Sequence, residues 1–221
     1  MSPYSFTTPR TAHFYSLGEP GPAIAHLWVC LHGHDQAVAD LAAQLVNLDT
    51  PERLLVLPEA LSRRADPATS DRPTDALGVW FAPHSVDADL ADLTTYLDGL
   101  TDHIRARCPA GTPVTVLGYG HGAAAAVGWL AENHLVFERL ILYAAVFPPE
   151  IDRRTLFAAL PQRPIVVVST TTAFTPEVEG AELVRELLDA GQTARLSYAD
   201  AGLLTLAALG AGGEARSSRL H

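Results

Sequence analysis

Gly118-Tyr119-Gly120-His121-Gly122 is the stretch in which residue type and spacing point most directly to chemistry. The apolar run 114–117 precedes it and the small-residue run 123–127 comes after, so the order is strand, tight turn, helix. That is the setting of the G-x-S-x-G nucleophile elbow, where glycines flank a serine held in a strained backbone with its hydroxyl raised above the sheet. Gly120 occupies the serine position. Glycine reaches positive φ without steric cost, so the turn is expected to persist while the attacking oxygen is missing. Three glycines in a strand-to-helix turn also arise by chance, and the rest of the chain decides between the two readings.

Two histidines frame the same place. His34 comes after the apolar run 25–31 and His121 directly after Gly120, so both are expected at the carboxyl ends of neighbouring strands. Open α/β sheets bind ligands at that rim. Two imidazoles there would donate hydrogen bonds to an anionic ligand. Alternatively they would hold a metal, with Asp35 or His84 as third ligand, since imidazole and carboxylate suit zinc. Two histidines so far apart in sequence, without a spaced third, fit polar pocket lining better, and neither a metal nor any other cofactor is expected. Tyr119, Trp80 and Phe81 either wall the rim with apolar surface or form core beneath a loop. Cys30 lies inside an apolar run and reads as inert core, and Cys108 as a second reduced, structural thiol.

The elements that must position these residues are set by periodicity. Continuous apolar runs at 25–31, 53–57, 114–119, 139–145 and 164–169, with 194–198 last, predict strands covered on both faces. Residues 4–6 and 12–17 alternate around Thr8-Pro9 and predict an antiparallel pair at one sheet edge. Val38, Leu41, Leu45 and Leu48 share one helical face, as do Leu90, Leu93, Leu97, Leu100 and Ile104. Helices are therefore predicted over 37–48 and 86–107, with two more over 122–133 and 177–190, the last ending at Gly191. Strands alternating with helices give a mainly parallel, doubly wound sheet. Residues 1–209 read as a single domain and 210–221 as a flexible tail.

Composition narrows the partners. Of 221 residues, 48% are hydrophobic and 18% charged, as in an ordinary globular protein. The formal net charge is −10 and the basic residues are all arginine. This balance speaks against nucleic acid or an anionic membrane surface as partner. No apolar run approaches the ~20 residues that span a bilayer, and a cytoplasmic location is expected. No feature fixes an oligomeric state.

Five pieces in order carry a family resemblance: Leu31-His32-Gly33, Leu57-Pro58-Glu59-Ala60, Val79-Trp80-Phe81, Gly118 to Gly122, and Tyr198 to Leu204. The chain resembles the small α/β-hydrolases of the carboxylesterase/phospholipase type, single-domain serine esterases. The resemblance implies an α/β-hydrolase fold with an antiparallel N-terminal edge and no large lid domain. It also implies an oxyanion-hole amide at His34 or Asp35, with His34 and His121 flanking that hole.

The departures concern the chemistry itself. A serine esterase needs a hydroxyl, a histidine to take its proton and a carboxylate to orient that histidine. Laid onto the family pattern, those positions are Gly120, Gly202 and Thr172, none of which supplies the required group. The chain therefore reads as a catalytically degenerate protein. It would bind a small carbonyl, carboxylate or acyl ligand at a rim lined by His34, Asp35, Trp80, Tyr119, His121 and Asp200, or serve as an interaction module or partner subunit. The alternative is an active esterase-like hydrolase with a non-standard nucleophile or activated water near His121, which Asp200 would orient as general base.

Overall fold

The computed structural model describes residues 4, 6–65, 76–82, 84–170, 180–199, 205 and 209. The apolar runs form the interior strands because each residue has a covered face to occupy whichever way it points. In β2 (His26–Leu31), Leu27, Val29 and Leu31 enter one core while Trp28 and Cys30 enter the other. The neighbours β4 (Arg53–Pro58), β7 (Val114–Tyr119), β8 (Arg139–Tyr143) and β9 (Ile165–Thr170) are buried over most of their length. With β1 (Phe14–Leu17) and β10 (Ala194–Ala199) at the edges, the sheet runs β1-β4-β2-β7-β8-β9-β10. All pairings are parallel except that of β1, which lies antiparallel to β4 with Phe14 opposite Pro58 and Leu17 opposite Leu55.

The N-terminal hairpin expected from 4–6 and 12–17 is not present among the described residues. Tyr4 and Phe6 belong to no strand and are almost fully exposed, and β1 takes its hydrogen bonds from β4 instead. A ladder on the flank of a six-residue buried strand outcompetes a local pairing with no buried face.

Helices cover both faces. On one side lies α1 (Val38–Leu45), which buries Val38, Leu41 and Leu45 and runs into a 3₁₀ turn over Val46–Leu48. On the other lie α2 (Val86–Arg105), α3 (His121–Ala131), α4 (Arg153–Ala159) and α5 (Gly180–Asp189). The alanines at 123–126 are fully buried, so α3 can sit close against the sheet. Leu209 is fully buried on the α1 face, and the expected tail from 210 lies outside the described residues. Among the described residues no helix is long and apolar enough to cross a membrane.

The order β4-β2-β7 places a topological switch between β2 and β7. The chain leaves β2 toward α1 on one face and leaves β7 toward α3 on the other. Connections that part in opposite directions open a crevice at the strands' carboxyl ends. His32 to Asp35 and Gly120 to His121 line that crevice. A small antiparallel sheet borders it: β3 (Gln36–Ala37), β6 (Leu77–Val79) and β5 (Ser62–Arg64), in the order β3-β6-β5.

Candidate functional site

Gly120 has φ 53° and ψ −123°, a backbone conformation in which a side chain is strained. Contacts on both sides hold it there. The Gly120 amide donates to the Tyr143 carbonyl at 3.0 Å, and the Gly120 carbonyl accepts from Val146 N–H at 3.0 Å and Ala123 N–H at 3.1 Å. The flanking glycines are required by crowding. A Cβ on Gly118 would stand 2.6 Å from Ala123 N, and one on Gly122 would stand 2.7 Å from the Leu31 carbonyl carbon. At Gly120 the space is open, with Gly33 Cα at 3.5 Å as the one contact found for an added Cβ among the described residues. Crowded outer glycines around a roomy, left-handed centre are the geometry of a nucleophile elbow, here built around a hydrogen atom.

The loop after β2 faces that open point. His32 is buried, its Nδ1–H donating to the Gly33 carbonyl at 2.7 Å and its Nε2 accepting from Ala60 N–H at 3.1 Å. Burial lowers its pKa to about 4, against a smaller opposing effect of the Gly33 hydrogen bond. His32 is therefore a neutral strut under the loop. Trp80 closes the same strut, donating from Nε1 to the His32 carbonyl at 2.8 Å with its ring 4.8 Å from the imidazole. Of the two roles open to Trp80 and Phe81, the structure gives the core one, since they are 4% and 6% exposed.

Three amides of this loop can be told apart by what they bond. Gly33 N–H donates to Gln36 Oε1 at 2.6 Å and Asp35 N–H to the Gly78 carbonyl at 3.0 Å. Between them, the His34 amide makes no hydrogen bond among the described residues. Of the two amides expected to serve an oxyanion, that of Asp35 is committed to Gly78 of the small sheet, and that of His34 is unbonded among the described residues.

The side chains of His34 and His121 meet, with ring centroids 4.8 Å apart and planes tilted by 53°. His34 Nε2 also lies 3.7 Å from Asp35 Oδ2. Asp35 itself is clamped by Arg64, whose Nε and Nη2 donate to Oδ1 and Oδ2 at 3.0 and 2.9 Å. That pairing holds the Asp35 carboxyl below the usual carboxylate range, with a smaller contribution from His34. A carboxylate engaged this way does not offer itself as metal ligand. His84 stands in the loop before α2 at φ 74°. Among the described residues, no group of three or more His, Cys, Asp and Glu side chains is placed to hold a metal ion.

Tyr119 forms the remaining wall. Its ring stacks on Tyr143 with centroids 5.2 Å apart and lies over Gly33, where an added Cβ would stand 3.0 Å from Cδ1. Cys30 is fully buried in β2, and burial pushes its thiol far above the ordinary range, which makes it inert. Thr172, Asp200 and Gly202 lie outside the described residues. Two site residues had no signal within the sequence reading: Gln36, which takes the Gly33 amide, and Arg64, which takes Asp35 from 29 positions away.

No protein-family model and no curated protein sequence matches this chain. Solved structures do. The crystal structure of esterase PE8 superposes with a TM-score of 0.62 at 19% identity, covering 89% of this chain and 93% of that one. A phospholipase/carboxylesterase from Dyadobacter fermentans gives 0.57 at 17% identity, covering 90% and 92%. SOBER1 from Arabidopsis thaliana gives 0.58 at 14% identity, covering 84% and 94%. The likeness spans nearly the whole length of each partner, and identities this low carry architecture alone. The chain has the α/β-hydrolase fold, and its structural neighbours are carboxylesterase- and phospholipase-like.

Proposed function

We propose that this protein is a catalytically degenerate member of its fold, which binds a small carbonyl, carboxylate or acyl compound where a hydrolytic relative would attack one. The observation that carries the reading is the geometry of Gly120. The elbow backbone is kept, its flanking glycines are sterically required, and the centre opens toward Gly33 with no oxygen to attack. His34 and His121 stand beside that opening with their rings in contact, and the His34 amide is available for a ligand oxygen. Imidazoles and an unspent amide donate to carbonyl and carboxylate oxygens. The reading includes a cytoplasmic location, which fractionation would check.

Acetate is the simplest probe. Titrated into the protein at pH 6, it is expected to shift the ring proton resonances of His34 and His121 saturably, and the shift is expected to vanish in His121→Ala. Unchanged resonances up to molar acetate would defeat the binding reading.

The contact between His34 and His121 favours one other reading. An imidazole standing at the opening is a candidate general base for water, with His121 in that role. That reading requires ester turnover dependent on His121.

A further inference from the structure

A cavity of about 700 Å³ lies between the N-terminal segment and α2. Its volume suits a small organic ligand. None of His34, Gly120 and His121 lines it, so a ligand held there is independent of the reading given to the elbow. Residues 6–10 and Ala12 form one wall, and the chain is tied down next to it at His13, whose carbonyl accepts from Tyr96 Oη–H at 2.8 Å and Glu59 N–H at 2.9 Å. Asp89, Asp92 and Tyr96 form the opposite wall, spaced so that one face of α2 carries all three.

The lining is selective in its chemistry. Phe6 and Tyr96 contribute aromatic rings, which attract a cation over their faces, and the buried Trp80 borders the cavity as apolar surface. Asp89 is held in place as an acceptor, taking hydrogen bonds through Oδ2 from Ala82 N–H and Ser85 Oγ–H, both at 2.8 Å. Asp92 makes no hydrogen bond or ion pair among the described residues. Among the described residues, Arg10 on the N-terminal segment is the single cationic side chain of the lining, and the two carboxylates outnumber it. The chain's formal charge of −10 adds a long-range field of the same sign. Rings, carboxylates and negative field together define one class of occupant.

From this we infer a ligand site for an organic ammonium ion with an apolar body, its cationic head between the α2 carboxylates and the aromatic rings. Phenyltrimethylammonium and its neutral isostere tert-butylbenzene form the test pair, titrated into the full chain and followed by NMR. The ammonium is expected to bind saturably and the isostere more weakly. Asp92→Asn is expected to weaken ammonium binding by roughly fivefold, with an unchanged melting temperature because Asp92 is exposed and unbonded among the described residues. Added salt is expected to weaken it further. Three results would each overturn the inference: no saturable ammonium binding, equal binding of the isostere, or unchanged affinity in Asp92→Asn. Loss of ammonium binding in His121→Ala would also overturn it by moving the site to the elbow, whereas failure of acetate to bind at the elbow would leave it standing.

Discussion

Gly33 Cα lies 3.5 Å from the point where a Cβ on Gly120 would stand, an ordinary contact distance in a turn whose other two glycines admit no side chain. The two residues sit on opposite lips of the crevice between β2 and β7. Room for a side chain and an elbow-like backbone are both present at a position that carries only a hydrogen atom.

This separates the three glycines by experiment. Gly120→Ser fits sterically and costs only the strain of a side chain at φ 53°, about 1–3 kcal/mol. Gly118→Ala and Gly122→Ala drive a methyl group into backbone, and each is expected to cost more than roughly 3 kcal/mol or to prevent folding. Urea denaturation of the three variants orders them. Equal losses at all three would contradict the elbow geometry.

His32 makes stability depend on pH. Its pKa is 6.5 in the unfolded chain and about 4 in the fold, so between those values the unfolded state binds the extra proton. The contribution is complete above pH 6.5 and is lost as pH falls toward 4, amounting to at most roughly 3 kcal/mol. Unfolding free energies at pH 7.5 and 4.5, compared between the natural chain and His32→Gln, should show the steeper fall in the natural chain. Parallel profiles would mean that His32 is not held neutral.

Trp80→Phe keeps an aromatic ring, though a smaller one, and removes the donor to the buried His32 carbonyl. The unsatisfied carbonyl is expected to cost about 1–3 kcal/mol. Because that carbonyl begins the turn bearing His34, the same variant should disturb the His34 ring resonances. A stable variant with undisturbed His34 signals would show that Trp80 merely fills space.

Arg64→Ala removes a partly exposed pair, and its effect on stability is expected to stay within about 1 kcal/mol. The Asp35 carboxyl should then rise toward the ordinary carboxylate range, since Arg64 is the main cause of its depression. A carboxyl-detected NMR titration reads this directly. An Asp35 that titrates as before would assign the depression elsewhere.

Legibility in the sequence tracked the size of the element. Long apolar runs announced β2, β4, β7, β8 and β9, because a strand buried on both faces leaves no polar position. The strands β3, β5 and β6 are two or three residues long, and β5 is exposed throughout, so no periodicity could reveal them. The seven-residue α4 is too short for its periodicity to stand out, although Asp152 caps it through the amides of Arg154 and Thr155, a signal readable in Asp-x-x-Thr. At the site, strand order alone brought His34 toward His121. The Arg64 clamp on Asp35 joins the end of β5 to the loop after β2, across a small sheet that no sequence pattern discloses.

Hydrolysis of p-nitrophenyl acetate by the natural chain and by His121→Ala, each against its heat-denatured control, bears most directly on an elbow without chemistry. The expected result is that both native proteins match their denatured controls. A rate well above control in the natural chain that disappears in His121→Ala would contradict the account.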